Sequence, residues 1–141
     1  MVIPKPRPGL VFRYEYVWRR DTLAGREAAK ERPACIVLTA TGQDDDVRVL
    51  IVPITHQAPA SDILALEIPR RVKQALGMDD ARSWIILSEA NIDTWPSPDM
   101  RQVPGAGRFE YGLLPNALVN RLRQVILQAL SDRKLSTVDR A

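Results

Sequence analysis

Two short polar junctions carry the residue types that could do chemistry in this chain. Arg32 stands at the start of the apolar run 33–39, and Thr55 and His56 follow the end of the next apolar run, 47–54. If the two runs pair as an antiparallel hairpin, both junctions lie at the same end of the sheet. The sequence therefore predicts that Arg32 and Thr55 lie close together.

An arginine and a hydroxyl at one place suit metal-free attack by a ribose 2′-OH on its own phosphodiester. A guanidinium group offers a planar fork to a phosphate, so Arg32 would stabilise the charge that grows on the phosphorane oxygens. One proton must leave the 2′-OH and another must reach the departing 5′-oxygen. The candidates for these transfers are Thr55, His56 and Glu27.

His56 is the only imidazole in the chain, and its position leaves its role open. Side chains alternate along a strand, so His56 should face away from Thr55 unless the strand ends between them. An imidazole can carry a proton near neutral pH, which makes His56 an accessory proton carrier or an RNA contact.

Several cofactor and metal sites are excluded by the motifs that the sequence lacks. It contains neither GxGxxG nor GxxxxGK[ST], and one histidine with one cysteine cannot build a zinc site of the usual type. The acidic run 44–46 beside Gly42 is typical of a solvated hairpin turn. Cys35 sits in an apolar run and is interpreted as a small buried hydrophobe. We therefore expect no metal and no cofactor.

Short apolar segments of strand length dominate the sequence. Between Leu10 and Trp18 aromatic side chains alternate with other residues, as in a half-buried strand. The predicted elements are strands over 10–18, 33–39, 47–54, 63–68, 84–87 and 92–95, a short helix after Pro69, and a C-terminal helix from Pro115. This order predicts a mainly β, α+β fold built on a strongly bent antiparallel sheet or partly open barrel.

The 141 residues, 45% of them hydrophobic, suit a single domain over 1–141. We expect its core over about 9–131, with 1–8 and 133–141 flexible. The formal net charge of +3 permits a polyanionic partner without demanding one. No apolar run is long enough to span a membrane and no signal core is present, so we expect a cytoplasmic protein.

Two segments resemble signatures of the MazF/PemK toxin family. Gly25-Arg26-Glu27 and the stretch ERPACIVL at 31–38 resemble its GxE and RP segment, and VPITHQ at 52–57 resembles its second signature. Weaker matches at 87–95 and from Pro115 onward extend the similarity over most of 9–130. The chain departs from the family where Leu10, and not an acidic residue, follows Gly9, and in a longer excursion at 96–108.

The resemblance implies an SH3-like β-barrel, usually homodimeric, that cuts single-stranded RNA in a sequence-selective and metal-independent way. Such an endoribonuclease leaves a 2′,3′-cyclic phosphate and is neutralised by an antitoxin. By position, Arg32 and Thr55 take the catalytic roles, and Glu27 takes the acid–base role sometimes given to a glutamate.

The charged segment 19–31 is the expected RNA-binding region, with aromatic rings for stacking. The candidate RNA contacts are Arg19, Arg20, Arg26, Lys30, Gln57 and Trp95. The acidic tail of an antitoxin would cover this groove and occupy Arg32. The alternative is a non-catalytic SH3-like barrel that binds nucleic acid or a partner peptide, in which Arg32 and Thr55 only fix strand ends.

Overall fold

The structure, a computed structural model, describes residues 2–23 and 30–141. Its strands are β1 (Leu10–Tyr16), β2 (Lys30–Thr41), β3 (Val47–Thr55), β4 (Ala65–Glu67), β5 (Trp84–Ile86), β6 (Glu89–Trp95), β7 (Met100–Arg101), β8 (Glu110–Leu113) and β9 (Ser136–Asp139). Its helices are α1 (Arg19–Leu23), α2 (Arg70–Ala75) and α3 (Asn116–Ser131).

The strands form one sheet built around β1, β2 and β3. The order is β4-β5-β3-β2-β1-β7, with β6 beside β3, β8 beside β1, and β9 beside β6. All pairs are antiparallel except β6 and β9, which are parallel. Within residues 2–23 and 30–141, no pairing joins β7 or β8 to the opposite edge, so these strands do not close into a barrel. The mainly β, α+β class is confirmed.

The central hairpin agrees with the prediction. β2 and β3 pair antiparallel from Ala34 opposite Pro53 to Thr41 opposite Val47, with one irregularity between Ile36 and Leu38. The turn between the strands has left-handed backbone at Asp44 and Asp45, a conformation that aspartate tolerates better than most residues.

Alternation along the central strands supplies two apolar cores on opposite faces of the sheet. Along β1, Phe12, Tyr14 and Tyr16 enter one core, while Val11 enters the other. The predicted aromatic face of the first strand is therefore confirmed. The core that contains Val11 also receives Leu122 and Ile126 of α3, which packs its apolar stripe on the sheet as predicted.

The segments 1–8 and 133–141, which were expected to be flexible, make specific contacts with the rest of the structure. In 133–141, β9 pairs with β6, and Arg140 donates to the carbonyl of Glu15 at 2.6 Å and to a carboxylate oxygen of Asp99 at 2.6 Å. In the lead-in 1–8, the Pro4 carbonyl accepts a hydrogen bond from the Trp95 indole at 3.0 Å. No helix in the described part of the chain is both long and apolar enough to cross a membrane.

Candidate functional site

The hairpin register places Arg32 and Thr55 opposite each other. Ala34 pairs with Pro53, and Arg32 and Thr55 lie two residues further along their antiparallel strands in the same direction. Because side chains opposite each other on paired strands lie on the same face, the two should share one side of the sheet.

Both side chains line one cavity of about 410 Å³, called here the Arg32–Thr55 cavity. It lies where β2 and β3 meet the end of β1 and the start of β6. Its other polar and aromatic lining residues are Trp18, Arg20, Lys30, Gln57, Ser88 and Glu89. Three cationic side chains and one carboxylate among the described residues give this cavity a positive balance.

Arg32 is half-buried against an aromatic ring. Its guanidinium carbon lies 5.1 Å from the centre of the Trp18 ring, within the range of a cation–π contact. Its Nε is buried and has no hydrogen-bond partner among the described residues. Burial, followed by the positive charge of Arg20, lowers the pKa of Arg32 below its ordinary value. The guanidinium group is thus partly stripped of water, which strengthens its attraction for an anion.

Thr55 has a defined role in the local backbone. Its Oγ1 accepts a hydrogen bond from the backbone N–H of Gln57 at 3.2 Å. This contact uses a lone pair and leaves the hydroxyl hydrogen available to a phosphoryl oxygen. Thr55 is therefore better suited to donate a hydrogen bond than to remove a proton.

Glu89 is a carboxylate of the cavity that sequence reasoning missed. Its Oε2 accepts hydrogen bonds from the Tyr16 hydroxyl at 3.1 Å and from the backbone N–H of Arg19 at 3.0 Å. Burial, and then the charge of Glu89, raise the pKa of Tyr16, so the phenol stays a donor. Both hydrogen bonds are accepted by the same oxygen, and together they hold the carboxylate of Glu89 in place. No local sequence pattern places it at the site.

The structure does not bring His56 into this cavity. His56 lies on the other side of the strand end, where its Nε2 is 2.9 Å from a carboxylate oxygen of Asp79. Its Nδ1 lies 3.1 Å from the carbonyl of Arg82 and 3.0 Å from the hydroxyl of Ser83. It lines a separate cavity of about 240 Å³ that includes Arg13. β3 ends at Thr55, so His56 is the first residue beyond the strand, and the two residues line different cavities.

His56 belongs to a polar network around a buried lysine. The side chain of Lys73 is only 3% exposed, and its Nζ donates to Asp79 at 2.7 Å, to Ser83 at 2.8 Å and to the carbonyl of Ala81. A buried ammonium group needs such partners. Ser83 is fully buried, and its hydroxyl lies between Lys73 and His56. The sequence signal for this network was a lysine at a buried position of the short helix α2.

The remaining predicted contacts divide into three groups. Arg20, Lys30 and Gln57 line the cavity. Arg19 does not, because its guanidinium donates to the carbonyl of Thr137 in β9 at 2.9 Å. Trp95 is only 9% exposed and packs edge-to-face on Phe12, so its ring belongs to the core and cannot stack on a base. The predicted residues Arg26 and Glu27 lie outside the described residues.

Neither a group of metal ligands nor a match to a known protein helps to identify the function of the site. Within residues 2–23 and 30–141, no three His, Cys, Asp or Glu side chains are grouped as metal ligands would be. Comparison of the chain with models of known families, with curated proteins and with solved structures gives no match.

Proposed function

We propose that this chain is a sequence-selective endoribonuclease that cleaves single-stranded RNA without a metal ion. In this proposal the ribose 2′-OH attacks the adjacent phosphorus, the bond to the 5′-oxygen breaks, and a 2′,3′-cyclic phosphate remains. The supporting observation is that Arg32 and Thr55 line one cavity with a positive balance of charge.

The proposed roles follow from the hydrogen-bonding capacity of each group. Arg32 stabilises negative charge on the non-bridging oxygens, and the Thr55 hydroxyl donates to one of them. A base must take the proton from the 2′-OH, and an acid must give a proton to the departing 5′-oxygen so that it leaves as a hydroxyl; a carboxylate that has accepted the first proton can supply the second. Glu27 is the sequence-predicted base, and Glu89 is a second candidate because it lines the cavity and its Oε1 makes no hydrogen bond among the described residues.

The resemblance to the MazF/PemK family extends the proposal to fold and partners. We expect the sheet to correspond to a partly open SH3-like barrel and two copies of the chain to associate as a homodimer. We also expect an antitoxin, whose acidic tail would enter the Arg32–Thr55 cavity and pair with Arg32. The proposed place of action is the cytoplasm.

The experiment is incubation of the purified chain with single-stranded RNA of mixed sequence in the presence of EDTA, followed by analysis of the 3′ ends. We expect 2′,3′-cyclic phosphate ends, and we expect Arg32→Ala to abolish them. Arg121→Ala is the matched control, because Arg121 is an exposed arginine of α3 that does not line the cavity. Cleavage that persists in Arg32→Ala would contradict the proposal.

The same assay separates the two candidate bases. Glu27→Gln and Glu89→Gln keep the side-chain size but cannot accept a proton from the 2′-OH. The variant that loses cleavage by roughly a hundredfold or more, while it still binds RNA, identifies the base. If neither variant loses cleavage, general-base catalysis by a glutamate is the wrong mechanism.

A non-catalytic binding module is the second candidate function. It is favoured by the position of His56, which leaves the cavity without an imidazole, and by the burial of Arg32 against Trp18. This candidate predicts that RNA of varied sequence binds and stays intact. Intact RNA in every reaction would replace the ribonuclease proposal with this one.

A further inference from the structure

We propose that Arg20 and Arg32, both stacked on Trp18, form a clamp for one phosphodiester group of single-stranded RNA. This set of three residues is called here the Trp18 clamp. The inference depends on the proposed function in one respect, which is the identification of the ligand as RNA. It assigns Arg20, one of the candidate RNA contacts, to the same phosphate as Arg32, and it adds Trp18 as a positioning residue.

The geometry of the clamp brings two guanidinium groups to one indole. The guanidinium carbons of Arg20 and Arg32 lie 5.2 Å and 5.1 Å from the centre of the Trp18 ring. Cation–π attraction holds each group, and the ring is itself held edge-to-face by Tyr16 at a centroid distance of 5.3 Å. Trp18 therefore holds both arginines at one ring, and all three residues line the Arg32–Thr55 cavity.

Among residues 2–23 and 30–141, no carboxylate forms an ion pair with either positive charge of the clamp. Ion pairs of the described residues join Arg13 to Glu31, Arg48 to Asp139, Arg82 to Glu67, Arg101 to Glu15 and Arg140 to Asp99. Neither Arg20 nor Arg32 makes such a pair there. The charge of Arg20 also disfavours the charged form of Arg32. An anion that binds both groups removes this repulsion.

The chemistry of the clamp favours a phosphodiester over a base. Two guanidinium groups present several N–H donors to one anion, and a phosphodiester offers two non-bridging oxygens to receive them. Trp18 already contacts Arg20, Arg32 and the Tyr16 ring, so its role is to hold cations. The clamp should therefore bind the RNA backbone irrespective of base sequence.

The test uses full-length protein and a fluorescent single-stranded RNA whose riboses carry 2′-O-methyl groups, so that it binds without being cut. Binding is measured by anisotropy at several salt concentrations. Arg20→Ala and Arg32→Ala should each weaken binding roughly tenfold, as expected for the loss of a charged hydrogen bond. The double variant should lose less than the product of the two single losses, because both groups hold one phosphate.

Trp18 is tested by paired substitutions. Trp18→Leu should weaken binding and flatten its salt dependence, although leucine removes no charge. Trp18→Phe keeps an aromatic face, so it should recover part of the lost affinity and part of the lost salt dependence. Arg121→Ala is the control and should bind like the parent. Circular dichroism of each variant establishes that it is folded, and Trp18→Phe replaces Trp18→Leu if the leucine variant is not.

Failure of the clamp is distinguishable from failure of the ribonuclease. If RNA binding depends on the clamp but unmodified RNA is not cleaved, the clamp proposal holds and the ribonuclease proposal is wrong. Cleavage and binding that are unchanged in Arg20→Ala and Trp18→Leu would overturn the clamp. The phosphodiester assignment would also be wrong if the parent protein does not bind RNA, or if the clamp binds only a polyglutamate competitor.

Discussion

At the scale of single residues, Arg32 and Lys73 show two ways of keeping a cation partly or wholly out of water. Lys73 is almost fully buried, and its ammonium group is surrounded by a carboxylate, a hydroxyl and a carbonyl. Arg32 is half-buried on an aromatic ring and pairs with no carboxylate of the described residues. The first arrangement stabilises a fold, and the second leaves positive charge available to a ligand.

Asp79 should make stability depend on pH in the acid range. The hydrogen bond from Lys73, aided by the charge of His56, lowers the pKa of Asp79 below its ordinary value of 3.8. A carboxyl whose pKa is lower in the folded protein adds stability that is complete above 3.8 and is lost as the pH falls through the lowered value. Asp79→Asn should therefore remove part of the acid dependence of the free energy of unfolding.

Urea unfolding of both proteins across the acid range measures this difference. Asp62→Asn is the control, because Asp62 is an exposed carboxylate without an ion pair in the described part of the chain. An acid dependence that is the same in Asp79→Asn and in the parent would show that the contact with Lys73 contributes nothing.

The residues of the site differed in how far the sequence could predict them. Arg32 and Thr55 were predictable, because antiparallel pairing of adjacent strands brings the two junctions together. The sequence left the position of His56 open, because it could not show that β3 ends at Thr55. Trp18 and Glu89 were not, because their convergence depends on how the end of β1 approaches β6, which no local pattern determines.

At the scale of elements, the start of β1 depends on a glycine. Gly9 has a φ of +95°, its N–H donates to the carbonyl of Ile36, and its own carbonyl accepts from Leu114. A Cβ at this position would lie 2.5 Å from Cγ2 of Val119 in α3. Gly9→Ala should therefore lower the free energy of unfolding by about 1–3 kcal/mol, through backbone strain and steric overlap.

Chemical denaturation of Gly9→Ala measures this loss, and Gly77→Ala is a matched control. Gly77 also has a positive φ, of +67°, but a Cβ there would meet nothing within 4 Å. The control should show only the conformational part of the cost. Equal losses in the two variants would mean that the approach of α3 to β1 imposes no steric limit.

Element prediction succeeded where the sequence carries an apolar pattern, including the short strands β5 and β6 and the short helix α2, and it missed elements without such a pattern. The hairpin and α3 follow from sustained apolar patterns. β7 and β9 have only two and four residues, and the sequence of β9, STVD, is mostly polar. Their pairing depends on the edges of β1 and β6 and on contacts of Arg140, none of which is visible from local sequence.

At the scale of the whole molecule, the shared central strands should make unfolding cooperative. β1, β2 and β3 send side chains into both cores, so exposure of one core breaks the strands that support the other. We expect far-ultraviolet circular dichroism, which reports α3 strongly, and tryptophan fluorescence, which reports Trp18, Trp84 and Trp95 together, to give one coincident unfolding transition. Transitions at different denaturant concentrations would mean that the two cores unfold separately.

The parallel pairing of β9 with β6 also bears on how the molecule behaves in a concentrated solution. A strand at the edge of a sheet exposes unpaired N–H and C=O groups, which can recruit a strand from another chain. β9 covers the outer edge of β6 from Glu89 to Ile92, and Arg140 attaches the segment to β1. This short strand therefore protects the sheet from aggregation through its edge, and in a chain that lacks it the β6 edge would be exposed to strands of other molecules.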